Sequence, residues 1–145
     1  MVQNYRNSFI RLTIHYLNQN QNNKAIAVLD GLNEKLPYKF LGIDNGLLFE
    51  IANLYLEAGD NEKYKSLALD IEKTALASIE RNPEDVKSYY NPYRLILETY
   101  EKLREYEKAV KIWEKLGLIF PDDPSIKSGI EKYKQLAAQK DSLSK

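Results

Sequence analysis

Tyr16, Lys24, Ala25 and Pro37 return 84 residues later as Tyr100, Lys108, Ala109 and Pro121. Phe9, Leu12, Leu29 and Leu32 fall at the positions of Tyr93, Ile96, Trp113 and Leu116. A chain that repeats itself in this way is built of equivalent units, each too small to bury its own apolar face, so the units must stack. Within the later copy, Tyr93, Ile96, Leu97, Tyr100 and Leu103 follow a helical period, as do Ala109, Ile112, Trp113 and Leu116. The pattern predicts two amphipathic helices joined by a turn at LREYEK, with Glu107 and Lys111 as an exposed i,i+4 pair, ending at Phe120-Pro121. A third pair lies between the copies: Leu48, Ile51, Ala52 and Tyr55 on its first helix, Gly59-Asp60 at its turn, and Tyr64, Ala68 and Ile71 on its second.

The chain therefore reads as all-α, a single domain over 1–138 with hairpins at about 4–37, 44–82 and 90–121. Asp123 and Pro124 open a final helix over 124–138, whose stripe of Ile126, Ile130, Tyr133, Leu136 and Ala137 caps the third hairpin. Residues 139–145, QKDSLSK, hold too little apolar surface to pack and are expected to fray. The second helix of the middle hairpin runs long, from about Asn61 to Arg81, and PYKFLGI lengthens the first linker.

This pattern resembles the tetratricopeptide repeat, most closely over 90–123. The resemblance implies a right-handed superhelical array of three hairpins with a C-terminal cap. Ala25 and Ala109 then sit where paired helices cross, and Tyr16, Tyr55 and Tyr100 fill space towards the next hairpin. Two departures stand out: Leu97 replaces the small residue that is Thr13 and Ala52 in the other copies, and Tyr64 replaces the crossing alanine, which predicts looser or shifted packing in the middle hairpin.

Composition narrows the function. There is no cysteine, so thiol catalysis, disulfides and zinc-thiolate sites are excluded. The 21 basic and 21 acidic residues are evenly spread, without the basic stripe of a nucleic-acid binder or the cluster of a membrane clamp. Polar residues interrupt every apolar run before it reaches membrane-spanning length, and Arg6 and Arg11 break any export signal. His15 is the only histidine, and no phosphate loop, metal-binding or nucleophile motif is present. The expectation is no enzyme, cofactor or metal. Asp122-Asp123 and Glu84-Asp85 read as acids at helix starts, where the helix dipole favours them.

In stacked hairpins the first helices line a concave surface, and residues there not needed for packing are candidate contacts for a protein or peptide. These are Asn7, Ile10, Arg11, Ile14 and Asn18, then Phe49, Glu50 and Asn53, then Tyr90, Asn91, Arg94, Glu98 and Glu101. For the tyrosines of SYYNPYR, residues 88–94, two readings stand: filling of the gap after the long helix, or a binding platform beside Asn91 as N-cap. The tetratricopeptide resemblance also raises the clamp of lysine, arginine and asparagine by which some such proteins hold acidic chaperone tails. Arg11 and Asn53 suit it, but the third hairpin offers Asn91, Arg94, Leu95 and Glu98, an acid where positive charge is needed, so that reading is disfavoured.

NYRNSFIRL, AIAVLDGLNEKLP, IANLYLEAG and SYYNPYR together are also similar to the C-terminal soluble repeat region of bacterial multi-spanning membrane proteins related to protein O-mannosyltransferases. That likeness, over residues 4 to about 136, implies a domain attached to an envelope membrane protein, with glycosyl transfer residing elsewhere. The function expected is a non-catalytic interaction scaffold; the alternative is a structural or self-associating module. Oligomeric state and location stay open.

Overall fold

The structure, a computed structural model, describes residues 1–144. Among them are eight helices and no strand: α1 (Val2–Asn18), α2 (Asn22–Lys35), α3 (Tyr38–Leu41), α4 (Asn45–Glu57), α5 (Asn61–Arg81), α6 (Pro92–Leu103), α7 (Tyr106–Ile119) and α8 (Pro124–Leu143). The chain is all-α, and α1–α2, α4–α5 and α6–α7 are the three helix pairs that the periodicity marks. It divides into two compact units, Met1–Asp70 and Ile71–Lys145, the division falling inside α5.

The repeat in sequence is also a repeat in backbone. Asn20 (φ 56), Gly59 (φ 90) and Arg104 (φ 58) are left-handed, each four residues after Tyr16, Tyr55 or Tyr100. The next amide donates back to the tyrosine carbonyl each time: Gln21 N to Tyr16 O at 2.9 Å, Asp60 N to Tyr55 O at 2.9 Å and Glu105 N to Tyr100 O at 2.8 Å. A left-handed residue closed by this bond satisfies carbonyls that a helix end otherwise leaves open. Helix starts are equally local. Asp44, Asp60, Asn91 and Asp123 accept side-chain bonds from the amides of Leu47, Lys63, Arg94 and Ser125, and Pro92 and Pro124 supply the pre-set φ of a first turn.

In the first unit, α2 contributes Ala25, Leu29 and Leu32 to the core, α4 contributes Leu48, Ile51, Ala52 and Tyr55, and α5 contributes Tyr64, Leu67 and Ala68. Tyr64, at the crossing position, is buried. Phe49 corrects the expectation of an exposed first-helix face: it is only 2% accessible. The reason is that α4 packs against both α1 and α2 and is joined to α5 by a tight turn, so it buries residues around most of its circumference, from Gly46 to Tyr55.

In the second unit the core joins Ala75 and Ile79 of α5, Tyr93, Ile96 and Tyr100 of α6, Ala109, Ile112 and Leu116 of α7, and Tyr133 of α8. Trp113 belongs to its half-buried margin. Its indole lies on Gly129 of α8, where an added Cβ would come within 2.5 Å of Trp113 Cδ2.

Three local features differ from the sequence expectation. The first linker contains a helical turn, α3. The last helix runs on to Leu143, and Lys140 Nζ donates to Arg104 O at 2.9 Å, so the first part of the expected frayed tail is helical. Glu84 and Asp85 open no helix. They lie in the loop after α5, with Asp85 N donating to Asn82 O at 3.2 Å, and the next helix waits for the Asn91 cap.

Candidate functional site

On α1, one side is buried and the other is offered to solvent. Asn7, Arg11, Ile14 and Asn18, spaced to share a face, are all exposed, with Ile14 at 42%. Arg11 makes no ion pair among the described residues. The opposite stripe is Arg6, Thr13 and Leu17. Arg6 is not among the candidate contacts read from the sequence, yet it is 3% accessible and, among the described residues, its guanidinium has a single long bond, Nη2 to Leu36 O at 3.5 Å. It lines a cavity of about 330 Å³ together with Leu36, Tyr38, Phe40, Ile43 and Lys63. The signal was a charge seven residues before Thr13, on the apolar stripe. Ile10 is half-buried, as are Glu50 and Asn53 on α4.

The SYYNPYR segment divides between the two readings. Tyr93 is buried and its hydroxyl donates to Pro83 O at 2.6 Å, which ties the loop after α5 to α6. Its hydroxyl pKa is raised by burial. Tyr89 and Tyr90 point outward, 68% and 40% accessible, with rings edge to face at 4.8 Å. Asn91 is committed to structure: Oδ1 caps Arg94 N at 3.0 Å, and Nδ2 donates to Ser88 O at 2.9 Å.

Arg94 is committed as well. Nε bonds Glu98 at 2.9 Å, Nη1 bonds Tyr89 O at 3.0 Å, Nη2 bonds Tyr89 Oη at 3.2 Å, and the guanidinium stacks 3.8 Å from the Tyr89 ring centre. These partners, Glu98 first, hold its pKa above the ordinary arginine value. Arg94 therefore clasps the 88–91 loop to α6, and Glu98 is its counter-ion. What this cluster presents outward is tyrosine.

Two of the three repeat tyrosines, Tyr55 and Tyr100, point the other way from the expectation. Tyr55 on α4 donates to Asp30 of α2 at 2.7 Å, and Tyr100 on α6 donates to Glu72 of α5 at 3.2 Å. Each reaches back to the second helix of the preceding hairpin rather than forward. A lysine joins each acid, Lys63 to Asp30 at 3.7 Å and Lys108 to Glu72 at 3.4 Å. On α8, Tyr133 and Lys132 converge in the same way on Glu101, at 2.8 and 3.4 Å. Burial first, then the adjoining carboxylate, raises the pKa of Tyr55, Tyr100 and Tyr133.

His15 is exposed, its ring edge-on to Tyr16 at 5.7 Å. Among the described residues, no group of three or more His, Asp or Glu is placed to hold a metal ion, and no helix is long and apolar enough to cross a membrane. No family model, no curated protein and no solved structure matches the chain.

Proposed function

We propose that the chain is a non-catalytic interaction scaffold of the tetratricopeptide type, its hairpins stacked as a right-handed superhelical array and capped by α8. It binds a peptide or protein segment along its first-helix faces, as a soluble domain attached to an envelope membrane protein. The observation that carries this reading is the stripe on α1. Arg11 and two asparagines flank an exposed isoleucine, a combination able to bond a peptide backbone or carboxylate while covering an apolar side chain. The exposed Tyr89–Tyr90 pair adds aromatic surface of the kind enriched at interfaces.

The test is to select peptides by phage display on the purified chain and measure their affinity by fluorescence anisotropy. Arg11→Ala and Ile14→Ser should each weaken the selected peptides about tenfold, the size of one charged contact or one buried side chain, without moving the thermal midpoint. Equal affinity in both variants, or no enrichment above background, would sink the assignment.

A further inference from the structure

The two later hairpins hold a carboxylate in the same way. Tyr55 and Lys63 grip Asp30, and Tyr100 and Lys108 grip Glu72. In both cases tyrosine and lysine are eight residues apart, and the acid directly follows a buried apolar residue, Leu29-Asp30 and Ile71-Glu72. The first hairpin carries the same pair. Tyr16 and Lys24 are also eight apart, and Lys24 Nζ lies 5.5 Å from the Tyr16 ring centre, as Lys108 does from that of Tyr100.

What differs is the acid: no carboxylate among the described residues bonds to Tyr16 or Lys24. The surrounding surface is open to match. Leu12 occupies the position of Ile51 and Ile96, which are 7% and 0% accessible, yet is itself 42% accessible.

We propose that Tyr16 and Lys24, with Leu12 beside them, form a docking site for an amphipathic α-helix of a partner protein that carries an aspartate or glutamate directly after an apolar residue. This rests on the scaffold reading above and names a partner and a second face for it. The charge fits: a hydroxyl donor and an ammonium stand near exposed Leu12 with no acid of their own. In a second copy of the chain Asp30 and Glu72 are engaged internally, whereas Glu114, their counterpart in the third hairpin, is exposed after Trp113, so a second copy is the competing occupant that the test must exclude.

The experiment is an NMR titration of isotope-labelled chain with a synthetic peptide of residues 61–81, which contains Ile71-Glu72. Saturable shifts should centre on Leu12 to Lys24. Affinity should fall about tenfold when the peptide carries Glu72→Gln, and about tenfold again for unmodified peptide on Tyr16→Phe or Lys24→Gln chain, a step of about 1.4 kcal/mol. Circular dichroism confirms that both variants stay folded.

Equal affinity of acid and amide peptides, no saturable binding, or a self-associated chain with this face buried would overturn the proposal. Adding the displayed peptides to the same labelled chain separates the two readings. Binding at Arg11 with none at Tyr16 ends this proposal alone, and binding at Tyr16 with none at Arg11 ends the stripe assignment alone.

Discussion

Gly129 and Trp113 show how much one residue's meaning depends on a neighbour elsewhere in the chain. Alone, a glycine inside α8 weakens the helix by about 1 kcal/mol relative to alanine, so Gly129→Ala should stabilise. Against the indole, whose Cδ2 would lie 2.5 Å from the new Cβ, the same change must push a rigid ring aside. We expect Gly129→Ala to cost about 1–3 kcal/mol and, in a Trp113→Ala background, to become stabilising by about 1 kcal/mol. Urea denaturation of the four proteins measures this, and the same sign in both backgrounds would refute the packing. The sequence puts Trp113 on an apolar stripe facing the partner helix of its own hairpin, and its contact with Gly129 of α8 has no local signature. Phe49 was misplaced for a related reason: a single-faced pattern describes a helix with one covered side, and α4 is covered on several.

At the scale of the element, legibility followed the range of the interaction. Helix pairs, the Asn91 and Asp123 caps and the Gly59-Asp60 turn are specified by residues within about one turn of each other, and all are where the pattern puts them. The helical turn of α3 and the extension of α8 were missed, the latter because Lys140 bonds a carbonyl 36 residues away. The three left-handed turn positions are chemically unequal, which makes them testable. Gly59 has open space where a methyl group would project, so Gly59→Ala should cost only the backbone penalty of a left-handed alanine, about 1–2 kcal/mol. Arg104 already bears that penalty, and Arg104→Gly should raise stability by about 0.5–1 kcal/mol. The shifts in denaturation midpoint should have opposite signs; a neutral Gly59→Ala would show that this turn does not hold its conformation.

For the whole molecule, the tyrosines are where the sequence was suggestive and incomplete. Their recurrence was visible, but their acceptors lie 25, 28 and 32 residues away, at no fixed offset, so the carboxylate latches had no signature to read. Tyr38, Tyr55, Tyr93, Tyr100 and Tyr133 all have hydroxyl pKa values raised above 10, by burial first and, except for Tyr93, then by neighbouring charges or hydrogen bonds. Above pH 10 the unfolded chain releases these protons while the folded chain keeps them, so the unfolded state binds fewer protons and stability falls as pH rises. Below pH 10 both states are protonated and these groups add no pH dependence. Each such tyrosine steepens the loss by roughly 1.4 kcal/mol per pH unit. Urea midpoints should therefore be flat in this respect from pH 8 to 10 and drop sharply beyond it, with the part of the tyrosinate absorbance that belongs to these five of the eleven tyrosines appearing only together with loss of helix. A chain in which the full tyrosinate absorbance developed near pH 10 with helicity intact would show that the latches do not hold their protons. Tyr55→Phe combined with Tyr100→Phe should make the decline shallower, because two of the groups responsible are gone.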